Sequence, residues 1–479
     1  MSGFIPPYPP RPTTILPIWQ RVMSWRKSIL EGWEERAFEC DFDFLSVLGR
    51  KIFLCNSPES VQFAFSNPNG NFDHKNAQFR HSLIPLIGDS VFVAGGERWR
   101  RRRRAVTPAI HMARLPELAP AMVEIALETR ARLAEQPPAA EFDMLSTMAR
   151  LSLDIMGRTI FGSKLPPEDA SDVISSFAAY QRHIVKVDVM SMLGLPDWLP
   201  RWYARPVRRA ARKVHAILDR AIARSPRAPT GAAVTILDRL RKARGENGVA
   251  VLDLQGLHEE VATILTAGQE TTANMLSWVW YLLSQAPEVE ARLHAEIDRV
   301  LGERPPSLAD VGQLVYTRAI VEETMRLYPP VPVMARDALA DDNFNGVRIP
   351  KGSIMMVAPW LLHRHKKLWC QPDHFMPERF LPGGDEPVSK YAYIPFSIGP
   401  RICAGMAFGL TEAILCVAVL AQQFQFRLKP GHQVSLNCRL SLRPGETLPM
   451  TLHRRVSAPQ SATRDTAPAS APACPFGHG

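Results

Sequence analysis

No stretch of about 18 apolar residues occurs anywhere in this chain, so the sequence offers no transmembrane helix. Residues 1–30 hold six prolines, and charges interrupt every apolar stretch there, which argues against a secretory leader. The seven cysteines are odd in number and none lies in a Cys-x-x-Cys pair. That disfavours a disulfide framework and a structural zinc site, and fits a reducing compartment. There is no internal repeat and no nucleic-acid-binding motif. The expectation is a soluble, cytoplasmic protein without a nucleic-acid partner.

What is present is ordinary globular material. Of 479 residues, 46% are hydrophobic and 22% charged, enough for a large core. The net charge of +10 is concentrated. Residues 97–104 carry six arginines against Glu97, and residues 201–228 carry nine Lys/Arg against Asp219, so the remainder of the chain is slightly acidic. Such patches suit an acidic protein or lipid surface. For residues 201–228, a simple solvated helix face is an equally direct reading.

Residues 1–30 read as a Pro-rich arm and 31–455 as one continuous domain. Residues 456–479, rich in Ser, Ala, Pro and Thr, read as a disordered tail ending in Cys474 and His478. Apolar spacing predicts helices starting near Val61 and over 118–135, 207–224, 255–285 and 404–422, with a strand over 352–358. The fold class is therefore mainly α with sparse strands.

Three patterns carry chemistry. The first is Phe396-Ser-Ile-Gly399-Pro-Arg401-Ile-Cys403-Ala-Gly405. A thiolate ligand needs a sulfur on a tight loop, nearby backbone N–H groups and a positive surround. Gly399 and Gly405 let the backbone approach closely, and the apolar helix after Cys403 directs its dipole at the sulfur. Phe396 can shield the sulfur from water. The second is Thr266-Ala267-Gly268-Gln269-Glu270-Thr271-Thr272, polar residues within a buried helix. Glycine inside a helix costs about 1 kcal/mol. Ala267 and Gly268 would leave room over a flat cofactor and let the helix bulge, while a carboxylate beside a hydroxyl forms a proton relay. The third is Glu323-Thr-Met-Arg326, followed by Phe375-Met-Pro-Glu-Arg379-Phe. Alone, a Glu and an Arg three residues apart on a helix are most often a weak surface pair.

Together these patterns resemble the cytochrome P-450 family over roughly residues 35–455, in family order and spacing. The resemblance implies a helix-rich P-450 fold with a small β lobe and haem b between the distal helix and the Cys loop. It implies Cys403 as the iron ligand, and Glu270 and Thr271 as the groups that deliver protons as the O–O bond breaks. Glu323, Arg326 and Arg379 become a buried structural triad. Trp99, Arg103, Arg336 and Arg401 become contacts for the haem propionates. Ala267 stands where relatives with ester-linked haem carry Glu, so the haem is expected to be non-covalent. His363 and His365, a pair that could bind metal, resemble a common family loop. The implied reaction inserts one oxygen atom of dioxygen into an apolar substrate such as a fatty acid, terpenoid or steroid. Electrons would come from a separate ferredoxin, flavodoxin or reductase docking on the Arg run. Phe92, Leu265, Val331, Val333 and Met334 are expected to line the substrate pocket. Peroxide isomerisation and non-catalytic haem binding are the rival activities, and the intact Glu270-Thr271 pair disfavours the first.

Overall fold

The computed structural model describes residues 3–455 except 18, 19, 22, 25–27, 48, 185–189, 191–202, 226–234, 246, 247 and 385–388. The tail with Cys474 and His478 lies outside the described residues. The helices that frame the site are α1 (Pro58–Ser66), α2 (Ala77–Ile87), α3 (Gly96–Ala109), α4 (Leu115–Ala134), α5 (Met144–Phe161), α6 (Pro167–His183), α7 (Arg205–Arg224), α8 (Ile236–Lys242), α9 (Leu254–Gln285), α10 (Pro287–Val300), α11 (Val315–Leu327) and α12 (Met406–Ala421). Among the described residues no helix is long and apolar enough to cross a membrane.

The longest helix, α9, is apolar on most sides and is buried accordingly. Asp253 starts it by accepting a hydrogen bond from the Gly256 N–H (2.7 Å). It runs to Gln285, one residue before Ala286-Pro287. Its main neighbour is α5, which Asp143 caps at the Leu145 and Ser146 N–H groups and Gly162 ends at φ +82°. Gly268 lies at this contact, where a Cβ would come 2.6 Å from Met156 Sδ. The glycine thus serves helix packing, and α9 is helical throughout, without the bulge that the sequence suggested.

Strands β1 (Phe42–Val47), β2 (Arg50–Cys55), β3 (His74–Lys75), β5 (Met334–Asp337) and β6 (Ile354–Val357) form a sheet in the order β1-β2-β6-β5-β3. Only β2 and β6 run parallel. A second sheet joins β4 (Glu141–Asp143), β10 (Pro449–Arg454) and β7 (Phe424–Leu428), and β8 (Leu436–Cys438) pairs with β9 (Leu442–Pro444).

Helix α2 is sealed against its neighbours by its own irregularity. Pro85 has no N–H to give the His81 carbonyl, and the Tyr203 hydroxyl supplies that bond (2.9 Å). Tyr180 on α6 donates to the Ser82 carbonyl (2.6 Å), and His215 on α7 meets the Pro85 carbonyl (3.1 Å). The Pro-rich arm is docked rather than loose. The Phe375 N–H donates to the Phe4 carbonyl (2.9 Å) and the Tyr328 hydroxyl to the Pro7 carbonyl (2.9 Å). Arg11 lies over Phe38 and pairs with Asp373 at 2.5 Å.

Candidate active site

The Cys403 loop is shaped by two left-handed residues. Gly399 has φ +71°, and any side chain there would overlap the Phe65 carbonyl on α1. Ser397 has φ +62°, a conformation that glycine adopts without strain. The Cys403 N–H donates to the Phe396 carbonyl (2.9 Å) and closes the loop. Cys403 reaches the surface of the protein, yet the atoms crowded around its sulfur desolvate it and push the thiol pKa up, while the Gly405 N–H, Arg103 and Lys75 act in the opposite sense. A coordinated metal ion would settle that competition, because it deprotonates a thiol ligand outright.

Four cations gather beside the loop. Arg103 donates to the Ile402 carbonyl (2.8 Å). The Arg401 guanidinium lies 4.2 Å from the centre of the buried Trp99 ring. Its Nη1 donates to the Ala94 carbonyl (2.8 Å) and its Nε lies 3.4 Å from Asp73, whereas its Nη2 is buried without a partner. Arg336 is buried over the Phe65 ring (4.9 Å), with only a 3.4 Å bond to the Ala335 carbonyl. The β3–β5 register sets Lys75 opposite Arg336, with its Nζ against the Phe92 ring. Burial lowers the pKa of Arg336 to about 9 and that of Arg401 to about 10, and depresses Lys75 well below the ordinary lysine range. Lys75 was not foreseen. Nothing near it in sequence marks it, and only its strand pairing brings it here.

On α9, Ala267 is exposed, and Gly268 and Thr271 are half-buried, within a helix otherwise enclosed on most sides. The Thr271 hydroxyl donates to the Ala267 carbonyl (2.7 Å). Glu270 does not pair with Thr271. Its Oε1 accepts bonds from Gln181 on α6 (2.8 Å), Asn274 on α9 (2.9 Å) and Ser441 before β9 (2.7 Å). Successive helical residues point about 100° apart, so a sequence-adjacent acid and alcohol need not share a face. Leu265, expected at the pocket, is fully buried in the core, and Val333 is nearly so. Phe92, Val331 and Met334 stay partly accessible.

The triad residues are together and fully enclosed. Glu323 receives Arg326 at 2.6 and 2.8 Å and Arg379 at 3.2 Å. Arg326 also donates to the carbonyls of His363, Pro372 and His374, and Arg379 to those of Cys370 and Gln371. Glu323 accepts the Met376 N–H as well (2.8 Å). His363 accepts the Ile394 N–H through Nε2 (2.9 Å), and burial lowers its pKa to about 3. It is a neutral structural acceptor. His365 contacts the Cys40 carbonyl (3.3 Å). No cluster of three or more potential metal-ligating His, Cys, Asp or Glu side chains occurs among the described residues.

The family model for cytochrome P450 matches residues 36–447. The chain belongs to the cytochrome P450 family. Among its relatives, cyclooctatin synthase of Streptomyces melanosporofaciens is 32% identical over 402 residues, 83% of this chain and 85% of the relative. Cyclooctat-9-en-7-ol 5-monooxygenase of the same organism is 33% identical over 386 residues, 80% of this chain and 81% of the relative. Cytochrome P450 4V2 of Mus musculus is 29% identical over 397 residues, 78% of this chain and 75% of the relative. This P450 is therefore a monooxygenase, of a family that uses haem with a thiolate-ligated iron, dioxygen and a redox partner. The residues present fit that cofactor. A sulfur on a closed loop, an accessible Ala267 within a buried helix and buried cations short of anions suit a flat group carrying two carboxylates.

Proposed function

We propose that this P450 inserts one atom of dioxygen into an apolar substrate, with Cys403 ligating a non-covalently held haem b. The observation that carries this is the Cys403 loop, which sets the sulfur beside the Gly405 N–H and Arg103 next to a buried cation cluster. A haem held there would supply the activation of dioxygen, with Cys403 as the thiolate donor whose electron density favours O–O cleavage. Arg103, Lys75, Arg336 and Arg401 would hold the propionates, with Trp99 supporting Arg401 from beneath. Phe396, Gly399 and Gly405 shape the sulfur loop. Ala267 leaves the α9 surface open and offers no carboxylate for an ester link, while Gly268 keeps α9 tight on α5. Glu270 and Thr271 supply the protons that dioxygen reduction consumes.

The electrons come from a separate donor with an acidic surface, a ferredoxin, flavodoxin or flavoprotein reductase. Arg98, Arg100, Arg101 and Arg104 are exposed along α3 and offer it a docking face. For substrate we favour a terpenoid alcohol or its hydrocarbon. The name of one relative specifies oxidation of cyclooctat-9-en-7-ol, and Phe92, Val331 and Met334 present apolar surface.

The test begins with the carbon monoxide spectrum of the reduced protein. A Soret band at the long-wavelength thiolate position supports the reading, and a band at the histidine-ligated position or an absence of haem overturns it. Terpenoid alcohols, fatty acids and steroids are then screened for spin-state shifts. Labelled dioxygen with a surrogate donor should place one heavy oxygen atom in the product.

A further inference from the structure

The three donors to Glu270 share one acceptor atom. Gln181 Nε2, Asn274 Nδ2 and Ser441 Oγ all bond Oε1, and Arg443 Nε lies 3.7 Å from the same oxygen. A carboxylate oxygen has two lone pairs, so three donors saturate Oε1. Oε2 has no hydrogen bond to any described residue and is not among the fully buried polar atoms that lack one. The donors come from three places: α6, α9 and the turn between β8 and β9. They fix the carboxylate through three separate elements. Asn274 also receives support from Ser441, whose Oγ lies 3.0 Å from its Nδ2.

We propose that Gln181, Asn274 and Ser441 are positioning residues for proton delivery, pinning Glu270 by Oε1 so that Oε2 is the atom that carries the proton. A proton taken from water binds Oε2, because Oε1 has no lone pair to offer. Oε2 is then the atom that gives the proton up through water, for Thr271 to pass on, and Glu270 returns to its ionised form. Without the pins the two oxygens become equivalent, the carboxylate samples several orientations, and delivery slows. This inference rests on the reading of Glu270 as the proton-supplying acid.

The test needs no known substrate. Full-length holoprotein is supplied with NADPH and a surrogate ferredoxin and reductase in air, so that NADPH, a proton and dioxygen yield NADP⁺ and hydrogen peroxide. The rate is followed in H₂O and D₂O across pH for the parent, Ser441→Ala, Gln181→Leu, Ser441→Thr and Glu270→Gln. General acids contribute roughly 10²-fold or more, so Glu270→Gln should fall by about that factor, and Ser441→Ala and Gln181→Leu by about three- to tenfold. Their solvent isotope effects should rise, and Ser441→Thr, which keeps the hydroxyl, should restore the parent values. Infrared difference spectra between acid and neutral pH add a readout independent of turnover. The protonated-carboxyl band lost in Glu270→Gln should broaden in Ser441→Ala and sharpen again in Ser441→Thr. If Glu270→Gln lowers the rate while Ser441→Ala and Gln181→Leu leave rate, isotope effect and band unchanged, or speed the reaction, the positioning role is overturned. If Glu270→Gln itself changes nothing, the underlying reading of Glu270 fails.

Discussion

Arg102 turns inward from a largely exposed basic run and clasps Glu260 on α9, Nη1 to Oε1 at 2.9 Å, while its Nη2 holds Glu259 at 2.7 Å. The Val91 N–H completes Glu260 Oε1 (2.9 Å). One arginine of the six is thus a bolt between α3 and α9 and not part of any docking face. Arg102→Ala would strand two acidic groups, one fully buried, and should cost about 3–5 kcal/mol. Thermal unfolding of the holoprotein reads this directly, and an unchanged midpoint would remove the bolt from the account.

Glu260 also gives a pH signature. Burial raises its pKa to about 7, from 4.5. The folded chain therefore holds a proton that the unfolded chain releases, and stability contributed by this group declines as pH rises from about 4.5 to about 7. Chemical denaturation at several pH values should show a steeper decline across that window for the parent than for Glu260→Gln. Equal slopes would contradict it.

The cation cluster predicts cofactor retention. Lys75→Met and Arg336→Leu each remove a charge placed for a carboxylate, and a charge-assisted hydrogen bond is worth about 1.5–3 kcal/mol. Haem transfer to apomyoglobin should be about tenfold faster or more from either variant. Parent-like transfer rates from Lys75→Met would remove Lys75 from the binding set.

Glu323→Ala leaves Arg326 and Arg379 buried without their shared anion, at about 3–5 kcal/mol. The purified variant should lack haem. A full haem-to-protein absorbance ratio would refute that.

Charge reversal at Arg100 and Arg101 should slow reduction by an acidic donor about tenfold at low salt and flatten its salt dependence. Stopped-flow reduction at two ionic strengths decides it, since unchanged kinetics would place the donor elsewhere.

The legible parts of this protein were those whose partners lie close in sequence. Gly399, Arg401, Cys403 and Gly405 sit in one loop, and Glu323 and Arg326 on one helical face, so spacing carried their proximity, while the burial of Glu323 and Arg326 followed only from the family resemblance. Helix α9 was legible because apolar residues surround it on most sides. Other partners escaped because the fold, not the spacing, joins them. Lys75 meets Arg336 through a two-residue strand, and Gln181 and Ser441 reach Glu270 from elements far apart in sequence. Arg102 looked like its neighbours because a run of identical residues hides which member faces inward. Gly268 also packs against Met156, because a glycine in sequence shows that room is needed but not for what.

The docked arm bears on the order in which the chain assembles. Phe4, Pro7 and Arg11 are made more than 300 residues before their partners Phe375, Tyr328 and Asp373. At about 5–20 residues per second, the arm must wait tens of seconds before it can dock. The arm can therefore dock only after the segment around Arg326 and Asp373 has been made.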